Sequence, residues 1–206
     1  MTWVWTSEVS VYNPVAVMDW PGGIGGSGYW PTSPPGVIGG AIIRAARRSA
    51  SLTTRQLART LCVGPATVRS WQNGTPPLFC LPHGQLRQLA VVLRDAGAQV
   101  GHDLRELLLA SQCDLLVTGM LRGFEDYAEV PPIDEEGPEA DAASALLRWA
   151  LIGTVPRPYH PYASGAPLMS KPDAKQFVAL ALGLNAGHNG PGLIPFGAAL
   201  VTLTQR

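Results

Sequence analysis

Few of the side chains capable of covalent or metal chemistry are spaced to perform it. Cys62, Cys80 and Cys113 are odd in number and far apart, with no C-x-x-C pair, which points away from a disulfide framework or structural zinc and toward a reducing, cytoplasmic setting. His83, His102, His160 and His188 show no metal-ligand spacing, and Tyr159-His160-Pro161-Tyr162 reads as packing or loop. No nucleophile–base pairing, phosphate loop or metal box emerges, so the expectation is a protein that is not an enzyme and takes no metal or cofactor. The arginines stand out instead. Residues 36–99 carry Arg44, Arg47, Arg48, Arg55, Arg59, Arg69, Arg87 and Arg94 against Asp95 alone, a net charge of +7. A segment so biased is expected to face a polyanion.

The rest of the chain balances that charge. Residues 100–206 hold seven basic and twelve acidic side chains, and residues 1–35 add Glu8 and Asp19, so the whole is neutral. The acidic run of Glu125, Asp126, Glu129, Asp134, Glu135, Glu136, Glu139 and Asp141 reads as a solvated linker, with docking of a basic partner or masking of the chain's own arginine face as alternatives. Apolar residues make up 46% and charged residues 15%, a balance that suits a globular chain rather than a disordered one. No stretch is apolar for long enough to span a bilayer. The start lacks the basic and apolar regions of a secretory signal, Glu8 being its first charged side chain.

Residues 37–97 read as four short helices with clear punctuation. The first, about Ile38 to Ser49, buries Ile38, Ile42, Ala45 and Ala46 and leaves Arg44, Arg47 and Arg48 more exposed. Thr53-Thr54-Arg55-Gln56 has the form of a capping box that opens a second helix to Leu61, with Leu57, Ala58 and Leu61 inward. Cys62-Val63-Gly64 makes a tight turn, and Pro65 suits the first position of a third helix. Val68 and Trp71 face inward there, and Asn73-Gly74 signals a left-handed stop. After a loop from Thr75 to Pro82, a fourth helix buries Leu86, Leu89, Ala90 and Leu93 and ends at Gly97. Two short helices joined by such a turn must share a small core, and a small Ala58 lets them cross closely.

The stretch Leu52 to Gly74 closely resembles the helix-turn-helix of the Cro/XRE family of phage and bacterial repressors. The matching features are Leu57-Ala58, Val63, Val68, Trp71, Asn73-Gly74 and Pro77, with Ile43-Arg44 and Arg47 fitting the first helix of that family. The likeness spans residues 37–95, about 30% of the chain. It implies a lambda-repressor-like head whose third helix enters the major groove of double-stranded DNA. On that resemblance Ala66, Thr67, Arg69 and Ser70 would meet bases, with Arg69 donating in bidentate fashion to guanine. Arg44, Thr54, Arg55, Asn73 and Thr75 would hold phosphates. The chain departs from the family at Thr54, where glutamine is common, at Cys62, where glycine is common, and at Gly64, where a small hydroxyl cap is common.

Beyond residue 99 the chain also reads as helical. Leu109, Cys113, Leu116, Met120, Phe124 and Tyr127 recur at spacings of three and four. Further helices are expected over about Glu139 to Ile152, from a Ser170 cap with Phe177, Leu180, Ala181 and Leu184 as its stripe, and from about Leu193 to Thr204. Residues 1–35, with Trp3, Trp5, Trp20 and Trp30 among Gly, Pro and Ser, read as a loose tail or as aromatics docked on the fold or a partner. The expectation is therefore an all-α protein: a tail over 1–35, a DNA-binding head over 36–99, and a small helical domain over 100–206. That last domain would serve dimerisation, effector sensing or both, the effector being a protein or a small molecule. A transcriptional regulator acting as a homodimer is the leading reading. The alternative is an antitoxin-like or adaptor protein whose C-terminal helices bind a partner protein.

Overall fold

A computed structural model describes residues 31–122 and 137–187. Among them the chain is all helical, with no strand: α1 (Val37–Ser49), α2 (Thr54–Thr60), α3 (Pro65–Gln72), α4 (His83–Asp95), α5 (Leu104–Arg122), α6 (Pro138–Ile152) and α7 (Lys171–Gly187). Short 3-10 turns at Leu78–Cys80 and Arg157–Tyr159 punctuate the connections. The expected helix from Leu193, the tryptophans of the first thirty residues, Phe124, Tyr127, the Leu184 side chain and the acidic run before Gly137 lie outside the described residues.

The starts of α2 and α3 and the ends of all four helices in the first half follow from local chemistry. Thr53 and Gln56 form the expected capping box: the Gln56 amide donates to Thr53 Oγ1 (3.1 Å) and the Thr53 amide to Gln56 Oε1 (2.8 Å). Pro65 occupies the first turn of α3, where its missing N–H removes no helical bond. All four helices then end alike. The residue two past the last turn donates back over five residues, from Leu52 to Arg47, Val63 to Ala58, Thr75 to Ser70 and Ala98 to Leu93, which is the Schellman arrangement. It needs a left-handed residue just before the donor. Gly74 and Gly97 supply it without strain, whereas Ser51 and Cys62 adopt φ of 55° and 56° despite their Cβ atoms.

The inward residues of α1–α4 agree with the amphipathic reading. Ile38, Ile42, Leu57, Ala58, Val68, Trp71, Leu86, Leu89 and Leu93 are buried. The Thr75–Pro82 connection is more than a loop, because its 3-10 turn seats Leu78 in the core.

Helix α5 shows the largest difference from expectation. Its apolar stripe predicts one buried face, yet Leu107, Ala110, Asp114, Val117, Thr118 and Leu121 are buried as well. A helix enclosed on several sides is a central one, and α5 packs against α1, α4, α6, α7 and the Leu78–Cys80 turn. The hydrophobic cluster consequently runs without a break from α1–α4 through α5 into α6, Tyr159, Met169 and Phe177. The residue 99/100 boundary separates two segments that share one core.

The end of the expected loose tail is ordered. Residues 31–35 are tied down rather than loose: the Thr32 and Ser33 amides donate to the fully buried carboxyl of Asp173 (3.1 and 2.6 Å), and the Ser170 amide donates to Ser33 Oγ (2.8 Å). Ser170 does cap α7, its hydroxyl accepting from the Asp173 amide at 3.3 Å. Among the described residues no helix is long and apolar enough to cross a membrane.

Candidate nucleic-acid interface

The α2–α3 pair is held by a small shared core, and what that core leaves outside is the candidate surface. Val68 is fully buried and Trp71 nearly so, which turns the opposite side of α3 to solvent. Pro65, Ala66, Thr67 and Arg69 are exposed there, and Ser70 is half-buried. The Ser70 carbonyl is taken by the Asn73 and Thr75 amides, so its side chain alone remains for a ligand. Asn73 and Thr75, just past the end of α3, are exposed. On α2, Arg55 is exposed and Thr54 half-buried. The capping box occupies the Gln56 amide, which removes one of the free N–H groups expected to help hold a phosphate there.

Arg44 and Arg47 of α1 are half-buried, against the expectation of solvent-facing charge, while Arg48 is exposed as expected. Arg44 is half-buried and its Nη1 donates to the Gln72 carbonyl at the end of α3. Burial, and then the neighbouring charge of Arg48, lowers its pKa. A guanidinium committed to a main-chain carbonyl inside the fold is poorly placed as a phosphate contact, so Arg44 leaves the set of expected ligands and becomes a tie between α1 and α3. Arg47 likewise donates to the Leu52 carbonyl, and Arg48 reaches the Tyr162 carbonyl at 3.0 Å. Burial followed by Arg48 lowers the Arg47 pKa as well. The +7 of this segment therefore overstates what faces outward. Arg48, Arg55, Arg59, Arg69, Arg87 and Arg94 carry the exposed charge. Of these, Arg94 alone forms an ion pair among the described residues, with Asp95 at 3.9 Å.

Arg59 joins the candidate surface beyond the residues expected from the sequence. It stands one turn after Arg55 and is exposed, and residues four apart share a helix face; that spacing was the available signal. Asp114 and Thr118 also lay outside that expectation; they act on α1 from α5 at separations of more than seventy residues. No sequence pattern marks such long-range bonds.

Close backbone approaches fix α3 against α1. A Cβ on Gly40 would lie 2.7 Å from the Gln72 carbonyl oxygen, and one on Gly74 would lie 2.4 Å from the Gly36 carbonyl carbon. The Gly36 amide donates to the Gly74 carbonyl at 3.1 Å. These contacts leave α3 little freedom to pivot about its C-terminal end. Among the described residues no cluster of His, Cys, Asp or Glu could hold a metal, and the three cysteines are free, with Cys62 exposed, Cys80 half-buried and Cys113 buried. Burial raises the thiol pKa of Cys80 and Cys113, which disfavours the thiolate form at both.

Chemically, the outer side of α3 offers one guanidinium, two methyl-bearing side chains and the hydroxyls of Thr67 and Ser70, and α2 adds the exposed Arg55 and Arg59. A helix with its side chains is about 10–12 Å across, and the major groove of B-DNA is about 12 Å wide. Comparison with protein-family models, with curated proteins and with solved structures returned no match.

Proposed function

We propose that this protein is a sequence-specific DNA-binding regulator that reads double-stranded DNA with α3, and that α2, the Leu61–Gly64 turn and α3 form a helix-turn-helix of the Cro/XRE type. The observation that carries the reading is the division of α3: Val68 and Trp71 inward, Ala66, Thr67 and Arg69 outward. A helix with that division, and with no partner over its basic outer face among the described residues, has the form needed for groove insertion. Arg69 reads a guanine through O6 and N7, and Ala66 and Thr67 meet thymine methyls. Arg55, Arg59, Asn73 and Thr75 hold the sugar–phosphate backbone, which sets orientation rather than sequence preference.

A single α3 contacts few bases, so a homodimer spanning two half-sites about 10 bp apart, or a multiple of that, supplies the remaining specificity. The segment from α5 onward is the place for that dimerisation or for an effector. Selection of bound duplexes from random DNA, repeated with Arg69→Ala, tests the assignment. Loss of preference at one base position, worth roughly 1–3 kcal/mol, with weak binding retained, is the expected result. An unchanged preference removes Arg69 as reader, and failure of the wild type to shift any DNA at low ionic strength removes the function.

A further inference from the structure

The joint between α5 and the start of α1 uses polar groups where an apolar core would suffice. Asp114 lies in the middle of α5 and is fully buried. Its Oδ1 accepts from the Ile38 amide at 2.9 Å and its Oδ2 from the Gly39 amide at 2.8 Å. Helix α1 has no side-chain cap of its own, since Gly36 stands at that position, so the cap comes from another helix. One turn further along α5, Thr118 Oγ1 donates to the Pro35 carbonyl at 3.0 Å. Residues four apart face the same way, and the two together grip the chain on both sides of Gly36.

The same short segment is seated on α3 from its other side. The Gly36 amide bonds to Gly74, and Gly40 crosses the Gln72 carbonyl too closely for any side chain. Residues 35–40 are thus clamped between α5 and the end of α3. Burying a carboxyl costs several kcal/mol unless it is well bonded, and nothing within α5 itself requires one at position 114.

We infer that Asp114 and Thr118 are positioning residues for DNA recognition: they touch no DNA, but by fixing residues 35–40 they set the pose in which α3 is presented. The inference rests on the DNA-binding reading given above. It makes α5 part of the recognition apparatus and gives the C-terminal segment a direct mechanical route to α3.

The test uses the full chain as wild type, Asp114→Asn, Thr118→Val and Thr118→Ser. Asparagine turns an NH2 donor toward one of the two amides that now meet separate carboxyl oxygens, valine keeps the shape at 118 without the hydroxyl, and serine keeps the hydroxyl. The preferred duplex is obtained by selection with the wild type. Dissociation constants are then measured for it and for a scrambled duplex of equal length, at one salt concentration and at a temperature where circular dichroism shows each variant folded. Mutations at coupling positions without ligand contact change such ratios by roughly 2- to 30-fold. Asp114→Asn and Thr118→Val are therefore expected to lower the preferred-to-scrambled ratio within that range, with scrambled-duplex affinity kept within about twofold and Thr118→Ser restoring the ratio. A purely structural role would weaken both duplexes in proportion and leave the ratio alone. If Asp114→Asn does not fold, the Thr118 pair decides. A folded Thr118→Val with the wild-type ratio overturns the inference while sparing the DNA reading; a wild type with no preference overturns both.

Discussion

Replacing Gly40 by alanine should destabilise this protein, although the same change in most helices stabilises. Glycine inside a helix costs about 0.8–1.0 kcal/mol relative to alanine, so propensity alone predicts a gain. Here the new Cβ would sit 2.7 Å from the Gln72 carbonyl oxygen, 2.9 Å from the Gly74 nitrogen and 3.0 Å from the Gln72 carbonyl carbon. All three are main-chain atoms that cannot rotate away, so α1 and the end of α3 must separate. Overpacking of this kind costs about 1–3 kcal/mol, and subtracting the propensity gain leaves a net loss of about 1 kcal/mol. For a chain of this size that lowers Tm by about 2–4 °C. Gly84, in the first turn of α4, serves as the control, since a Cβ added there would meet nothing within 4 Å. Gly84→Ala should raise Tm by about 1–4 °C. Paired thermal melts followed by circular dichroism measure both. If Gly40→Ala rises alongside Gly84→Ala, the close α1–α3 crossing, and with it the argument for a fixed α3, is wrong.

Other outcomes follow from individual contacts. Cys62 is exposed and holds a left-handed φ of 56°, so Cys62→Gly should stabilise by about 1 kcal/mol, seen as a higher urea midpoint at unchanged slope; a lower midpoint would show that the thiol packs. Burial pushes the Asp114 carboxyl up to about 8, against the opposing pull of the Gly39 and Ile38 amides, from an ordinary value of 3.8. Between those values the folded state keeps a proton that the unfolded state has lost. The Asp114 contribution is therefore fully present below about pH 4, declines as pH rises and levels off above about pH 8. The difference in unfolding free energy between wild type and Asp114→Asn should follow that curve, and a flat difference from pH 4 to 9 would contradict it. Finally, Arg55→Ala should weaken binding evenly across DNA sequences and reduce the slope of log K against log salt by about 0.9; a change in base preference instead would make Arg55 a reader.

Much of the α1–α4 segment was legible in the sequence because its information is local. The Thr53–Gln56 box, Pro65 at the start of α3 and Gly74 and Gly97 at helix ends act over three to five residues, a range that residue types and spacing encode directly. The inward set of Leu57, Ala58, Val68 and Trp71 followed from helical periodicity, and the outward set of Ala66, Thr67 and Arg69 is its complement. Charge was read less well. Counting arginines gave the sign of the segment, but a count holds no information on which guanidiniums the fold takes up, and half-buried Arg44 and Arg47 are committed to main-chain carbonyls.

The sequence by itself determined where the helices of residues 37–97 lie, the start signals at Thr53 and Pro65 and the faces that α1–α4 bury, since each is settled within a turn or two of chain. Tertiary structure alone decided that α5 is central, that residues 31–35 are strapped to Ser170 and Asp173, and that the carboxyl of Asp114 caps a helix it does not belong to. A buried polar group reveals its purpose only through the partner it meets. Those partners stand 75 to 141 residues away, beyond the reach of any periodicity.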